Sequence, residues 1–487
     1  MSDEKTAADA DEKTRGLLRA ALARGRAGAA PRLMREHCLA PERRPGGIVV
    51  QRLMLAPEAH EGDEHAVPVV LVHSDDARGD GARPLICFMH GTGGDSEGLL
   101  ETHLVPFAKR GYCALGVDAP CHGRRLDPAP EAKIPPPEAK SPSSSRTPDD
   151  ADGLAASLRA PSGHVSLSRS RSETFERYGA ALVAAWRGGF EPPERSAAER
   201  SAADSSPIRH SGHSGSARPF LFDGAWDCLR AVRFATGLSN RDGRTTVGDP
   251  KGPDAALPTR AASGNEPPLD LVDVNVDATR VGVSGVSLGG MYAWLAAAAA
   301  PETIAAAAPL IGAQDFGWAL RNERWRARVD SLPPALFRAA ERDERETRGN
   351  GDERTSPREV SPELVERVYD AICPGLTTFL DGPRTFPLVA PRPMLIVNGE
   401  LDPRNPLEGV RGLVAATRRA YESKKKTKNF VAVAQRGVAH ACTPQMLALA
   451  DAWLDWRLRP AAAFCDGNRA EAAVAEALRD AETWLEL

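Results

Sequence analysis

The sequence has little net charge and lacks the short motifs of several common protein classes. Its 487 residues hold 62 Lys and Arg against 66 Asp and Glu, a formal net charge of −4. It therefore has no basic surplus of the kind that nucleic-acid-binding domains carry. The eight cysteines form no C-x-x-C pair, which leaves zinc ribbons and dithiol redox motifs unsupported. Neither G-x-x-x-x-G-K-[ST] nor G-x-G-x-x-G is present, so we predict no metal, no organic cofactor and no nucleic-acid partner.

Targeting signals are also scarce. The first residues, Met1 to Lys5, are too acidic and too polar for a signal peptide, and no N-x-[ST] glycosylation site occurs. The longest apolar run, Met291 to Gly312, is broken by Pro301 into pieces too short to cross a bilayer. We predict a cytoplasmic protein without a membrane span. The Arg- and Ala-rich stretch Leu17 to Arg26 leaves a plastid location open.

Large apolar residues are rare in four stretches of the chain. These stretches are rich in Pro, Ser, Ala and charged residues, and such compositions bury too little apolar surface to form a core. We interpret them as disordered insertions in one domain, since long surface insertions cost little stability. The predicted organisation is an N-terminal extension 1–44, a single large domain 45–458 and a C-terminal helical extension 459–487. The insertions are 127–172, 192–218, 240–268 and 341–358.

The most informative motif that is present is a G-x-S-x-G pentapeptide with Ser287 at its centre. It follows an apolar β-branched run, residues 279–284, and precedes a run of small residues that starts at Gly290. A strand, a sharp turn and a helix in this order expose the serine hydroxyl at the end of the strand. Glycines two residues before and after the serine let neighbouring backbones approach closely. The pattern predicts a nucleophilic serine.

A nucleophilic serine requires a base, and the base requires a carboxylate that orients it. Only one histidine, His440, follows Ser287 in the sequence, directly after an alternating apolar strand. Between them the apolar run 393–398 ends in a turn that contains Glu400 and Asp402. Active sites of open α/β sheets lie beyond the carboxyl ends of the strands. We therefore predict a Ser287–His440–Asp402 triad, with Glu400 as the alternative acid.

Acyl transfer also requires donors for the oxyanion that forms on the carbonyl oxygen. One predicted donor is the backbone N–H of Leu288, directly after the nucleophile. The second is the N–H of Thr92, in the glycine-rich loop that follows the apolar strand 84–89. The preceding His90 is expected to have a structural role.

These residues resemble those of α/β-hydrolase superfamily serine hydrolases. The similarity is greatest to the dienelactone-hydrolase and prolyl-oligopeptidase-like branch and to uncharacterised plant and algal members. It covers roughly residues 45 to 458, with interruptions. True dienelactone hydrolases use a cysteine where this chain has Ser287, so dienelactone is not the expected substrate. The stretches that carry the resemblance are 88–93, 117–124, 285–294, 311–325, and the loops of Asp402 and His440.

The resemblance implies an α/β-hydrolase fold, a mostly parallel central sheet flanked by helices. It implies cleavage of small-molecule carboxylic esters through an acyl-enzyme. Two other readings stay open: a prolyl-oligopeptidase-like peptidase or aminoacyl hydrolase, and a non-catalytic small-molecule receptor on the same fold. The possible pocket residues are His122 and a set spaced for one helical face, Trp318, Asn322 and Trp325.

Overall fold

A computed structural model describes residues 2–26, 28, 31–58, 61–75, 81–126, 169–189, 217–237, 274–347, 360–459 and 467–487. Its strands are β1 Glu42–Arg44, β2 Ile48–Leu55, β3 Val67–Ser74, β4 Arg83–Met89, β5 Cys113–Val117, β6 Val276–Val286, β7 Ala306–Leu310, β8 Met394–Gly399, β9 Phe430–Gln435 and β10 Trp484–Glu486. Most of the four proposed insertions lies outside the described residues.

The helices alternate with these strands along the chain. They are α1 Ser2–Ala23, α2 Val105–Lys109, α3 Arg171–Gly189, α4 Phe222–Gly237, α5 Leu288–Ala299, α6 Phe316–Arg321, α7 Arg326–Val329, α8 Pro334–Thr347, α9 Pro362–Ile372, α10 Gly382–Thr385, α11 Leu407–Ser423, α12 Pro444–Leu458 and α13 Gly467–Arg479. Short 3-10 turns are Arg35–His37, Asp63–His65, Phe386–Val389 and Thr427–Asn429, and a π-helical turn spans Leu100–Leu104. Helix α8 extends to Thr347, so the first residues of the fourth proposed insertion, 341–347, are helical.

The strands form one ten-stranded sheet in the order β1-β2-β3-β5-β4-β6-β7-β8-β9-β10. Strands β5, β4, β6, β7, β8 and β9 pair in parallel, and β1, β2, β3 and β10 join antiparallel. The order of β2 to β9 is that of an α/β-hydrolase, which confirms the predicted fold class. The nucleophile strand β6 therefore lies in the middle of the sheet.

Side chains alternate between two apolar layers, one on each face of the sheet. On β4, Leu85, Cys87 and Met89 belong to one buried cluster, whereas Ile86 and Phe88 belong to the other. This alternation follows from the two-residue period of a strand. A parallel strand that is apolar on both faces requires helices on both faces, and the helices between the strands supply this cover.

Both ends of the chain contribute to the sheet, which the sequence did not indicate. Near the N-terminus, β1 pairs with β2, and Leu18 and Leu22 of α1 are fully buried in the core. At the C-terminus, β10 pairs with β9. The predicted helical extension thus contains α13 and then a strand. Between β4 and β5 the chain forms the π-helical turn followed directly by α2.

In the part of the chain that the structure describes, no helix is both long and apolar enough to span a membrane.

Candidate active site

The turn between β6 and α5 holds Ser287 in a strained backbone conformation. Its φ of 56° and ψ of −111° lie outside the regions that non-glycine residues normally adopt. The Ser287 N–H donates to the carbonyl of Leu310 on the neighbouring strand at 2.9 Å, and this bond fixes the turn. The side chain is consequently held at the carboxyl edge of the sheet.

Glycines surround this turn because backbones meet there without room for side chains. A Cβ on Gly285 would lie 2.6 Å from the carbonyl oxygen of Met89, and one on Gly289 only 2.2 Å from the same oxygen. A Cβ on Gly290 would lie 2.7 Å from the carbonyl oxygen of Leu310. This turn, called the elbow below, is therefore tightly packed between the backbones of β4 and β7.

The structure brings Ser287, His440 and Asp402 into one hydrogen-bonded chain. The Ser287 Oγ lies 2.8 Å from His440 Nε2. The His440 Nδ1 lies 2.7 Å from Asp402 Oδ2. An Nδ1–H that donates to the carboxylate leaves Nε2 as the acceptor for the serine hydroxyl. This is the arrangement in which an imidazole can take a proton from serine.

Asp402 is held by a set of donors that the sequence analysis did not identify. Its Oδ1 accepts the backbone N–H groups of Arg404 at 2.8 Å and Asn405 at 3.1 Å. The Asn405 Nδ2 donates to Asp402 Oδ2 at 3.0 Å and to the carbonyl of Ile311 at 2.7 Å. The guanidinium of Arg328 donates to Asn405 Oδ1 at 2.6 Å. Asn405 thus links the carboxylate to the residue that follows β7 and to a buried arginine.

Glu400, the alternative acid, has a different role in the structure. Its Oε2 accepts the backbone N–H of Gly437 at 2.8 Å, so it braces the turn that leads to His440. Among the described residues, it is Asp402 and not Glu400 that contacts the imidazole.

The electrostatics of the pair suit a neutral base beside an ionised acid. Burial would raise the pKa of Asp402, but the hydrogen bond and charge of His440, with the charge of Arg328, outweigh it and lower that pKa. Burial is the largest cause that lowers the pKa of His440, and the positive charges of Arg328 and Arg404 add to it. Asp402 opposes this shift without cancelling it, so His440 is neutral at neutral pH.

The loop after β4 lies beside the nucleophile. A Cβ on Gly91 would be 3.3 Å from the carbonyl oxygen of Val286 and 3.8 Å from Ser287 Cβ. Thr92 follows in this loop, and Leu288 is the first residue of α5, where a helix offers its N–H no internal acceptor. His90 bridges two loops: its Nε2 accepts the N–H of Ala119 at 2.9 Å.

The possible pocket residues fall into different environments. His122 is fully buried; its Nδ1 lies 2.7 Å from the carbonyl oxygen of Pro120, and its ring is 5.3 Å from that of Tyr178. Burial, with the charge of His90, lowers its pKa to about 3, so the imidazole is neutral. Its Nε2 has no hydrogen-bond partner among the described residues.

The prediction of one helical face for Trp318, Asn322 and Trp325 is wrong. Helix α6 ends at Arg321, where Asn322 Nδ2 donates back to the carbonyl of Trp318 at 2.8 Å. The next residue, Glu323, has a φ of 57° that turns the chain away. Trp318 packs over Gly409 of α11, whereas Trp325 is buried in the core and Asn322 is exposed. The spacing of the three residues predicted one helical face because it does not show that the helix ends at Arg321.

Metal-ligating side chains do not converge in the described ranges: no group of three or more His, Cys, Asp or Glu residues is placed to hold an ion.

Strand order and elbow geometry define an α/β-hydrolase fold with a hydrogen-bonded Ser–His–Asp array. No protein-family model matches the chain, and no curated protein matches it. Among solved structures, an acetyl xylan esterase from Paenibacillus sp. R4 is similar at 14% identity and a TM-score of 0.46, over 92% of this chain and 95% of that one. Acetyl xylan esterase 1 from Thermoanaerobacterium sp. JW/SL YS485 is similar at 11% identity and a TM-score of 0.42, over 91% of this chain and 92% of that one. A glucuronoyl esterase from Caldicellulosiruptor kristjansonii is similar at 14% identity and a TM-score of 0.37, over 87% of this chain and 80% of that one.

Proposed function

We propose that the protein is a serine hydrolase that cleaves small-molecule carboxylic esters. The observation that carries this proposal is the chain of two short hydrogen bonds, Ser287 Oγ to His440 Nε2 at 2.8 Å and His440 Nδ1 to Asp402 at 2.7 Å. It is supported by the strained elbow at Ser287 and by the lowered pKa of His440. A neutral imidazole in contact with a serine hydroxyl is a competent general base.

The proposed reaction has two halves with the same proton carrier. The Ser287 Oγ attacks the ester carbonyl while His440 Nε2 takes the hydroxyl proton, and the imidazolium then donates it to the departing alkoxide. The acyl group remains on Ser287. Water, deprotonated by the same nitrogen, attacks the acyl-enzyme; the imidazolium then returns the proton to Ser287 Oγ as the bond to the acyl group breaks and the acid is released. Asp402 holds the tautomer and stabilises the imidazolium during both halves.

The N–H groups of Leu288 and Thr92 are the proposed oxyanion donors. Leu288 follows the nucleophile at the start of α5, so its N–H is free of an intrahelical bond. The Thr92 loop reaches Ser287 from β4, with Gly91 in contact distance of the serine. Removing one such donor in other hydrolases costs about 100- to 1000-fold in kcat.

Esters are favoured over amides by the chemistry of the leaving group. An alkoxide or phenolate departs more readily than an amine, which must be protonated first.

We expect purified protein to hydrolyse short-chain aryl esters well above background and aminoacyl anilides far more slowly. The measurement is kcat/KM for both substrate series, with fluorophosphonate labelling as the count of active serines. Equal or faster turnover of anilides would favour a peptidase. Stoichiometric labelling of Ser287 without turnover of either series would favour a receptor or a highly selective enzyme.

The pH dependence of kcat/KM is expected to show the lowered pKa of His440. The reaction requires neutral His440, and burial lowers the pKa of this imidazole from its usual value of 6.5. Protonation of His440 should therefore reduce kcat/KM for a neutral aryl ester along an acid limb with its midpoint below pH 6.5. Far-UV circular dichroism over the same range separates this titration from acid unfolding. An acid limb with its midpoint at or above pH 6.5 would contradict the assignment.

A further inference from the structure

Three arginines gather around the proposed triad in a chain whose net charge is negative. Arg328 is buried and donates to Asn405. Arg404 lies in the turn after β8, two residues beyond Asp402, and donates its backbone N–H to that carboxylate. Arg171, at the start of α3, lies against the loop after β4, since a Cβ on Gly93 would be 3.4 Å from its Nε. Two carboxylates, Asp402 and Asp330, act on the charge of Arg404.

Two of these arginines lie on opposite sides of the nucleophile. In the sheet, β6 with Ser287 lies between β4 and β8. Arg171 contacts the loop after β4, and Arg404 belongs to the turn after β8. The two guanidinium groups are close enough to interact, because the positive charge of Arg171 is among the causes that lower the pKa of Arg404, after burial as the largest. A substrate at Ser287 would therefore lie between the two segments that carry these arginines.

The guanidinium of Arg404 has no hydrogen bond and no ion pair with any described residue. It is nevertheless half-buried. Two other arginines that are half-buried or buried have acceptors: Arg52 has Glu42 and Glu97, and Arg392 has the carbonyls of Ile304 and Ala297. A desolvated guanidinium without an acceptor is costly. Its planar donors match a carboxylate, which they can bind through two parallel hydrogen bonds.

We propose that Arg404, with Arg171 on the other side of the elbow, binds a carboxylate that the ester substrate carries near its scissile bond. The substrate class is then a half-ester of a dicarboxylic acid or an ester of a carboxylate-bearing alcohol. This inference rests on the proposed ester hydrolysis and specifies its substrate. Arg328 is a positioning residue in this arrangement, since it acts through Asn405 on Asp402.

The test compares anionic esters with neutral analogues of the same size. In one arm, the aryl monoester of glutaric acid is compared with the aryl ester of monomethyl glutarate. In the other arm, the acetate of 4-hydroxybenzoic acid is compared with the acetate of its methyl ester. Each kcat/KM is divided by the hydroxide-catalysed rate of the same ester. The arms distinguish a carboxylate on the acyl side from one on the alcohol side.

In one arm we expect the anionic ester to be preferred about tenfold or more, which is the effect of one charge-assisted hydrogen bond. This preference should weaken as the salt concentration rises. Arg404→Gln should bring the ratio close to one, and Arg404→Lys should keep part of it. Arg419→Gln, which removes the same charge from the exposed face of α11, should keep the wild-type ratio.

The proposal is overturned if neither arm favours the anion, or if Arg404→Gln retains the preference. Should Arg404→Gln fail to fold, the salt dependence of the wild-type ratio decides, and a ratio that salt does not change would overturn it. Turnover of the neutral esters without an anionic preference would refute this inference and leave the proposed hydrolase intact. Absence of both turnover and fluorophosphonate labelling would refute the two together.

Discussion

Ser287→Ala is expected to abolish fluorophosphonate labelling and to reduce aryl-ester turnover by about 10⁴- to 10⁶-fold. The nucleophile is removed, and water attacking directly can use only the oxyanion donors. The Oγ hydrogen-bonds to His440, and its loss leaves the sheet and elbow contacts in place, so we expect an unchanged circular dichroism spectrum. Labelling and kcat/KM on one aryl ester are the measurements.

A matched control is available on the same strand. The buried Ser284 donates its hydroxyl to the carbonyl of Ala308 at 2.7 Å and makes no contact with His440. Ser284→Ala should therefore keep its labelling. His440→Ala should lose about as much activity as Ser287→Ala, and the double variant little more, because triad members act as a unit. Losses that add in the double variant would show that the two residues act independently.

Gly289→Ala is expected to destabilise the protein by about 3 kcal/mol or more. The new Cβ would lie 2.2 Å from the carbonyl oxygen and 2.5 Å from the carbonyl carbon of Met89. These are backbone atoms of β4, which pairs with β6 at Met89 and Gly285. The clash cannot be relieved by turning a side chain, so β4 and the elbow must separate. Urea denaturation measures the loss, and labelling of Ser287 should fall with it.

Gly412→Ala serves as the comparison. Gly412 lies in α11 on an exposed face, and a Cβ there would meet nothing within 4 Å. Alanine is favoured over glycine in a helix by about 0.5–1 kcal/mol, so this variant should be as stable as the wild type or slightly more stable. A Gly289→Ala protein with wild-type stability would disprove the packing argument.

The sequence was sufficient for features that depend on local pattern. The apolar runs predicted the parallel strands, and the order of Ser287, Asp402 and His440 placed each residue after a different strand. All three positions follow from the rule that such sites lie at the carboxyl ends of strands.

Features that depend on distant contacts were missed. Asn405 follows Asp402 closely enough for its side chain to return to the carboxylate, and this spacing was the one signal available. Arg328 reaches the same group from α7, a separation along the chain that no motif records. The Trp318–Trp325 interpretation failed because helical spacing does not reveal where a helix stops. The terminal strands β1 and β10 are too short to give a periodic signal.

These terminal strands have a consequence for association between molecules. A wide sheet with a long apolar edge would offer unpaired N–H and C=O groups to the sheet of a second copy. In the described part of the chain, both edges of the sheet are three-residue strands, β1 and β10. The first consists wholly of charged residues, Glu42, Arg43 and Arg44. Each edge is thus too short, and one is too charged, to template continued strand addition.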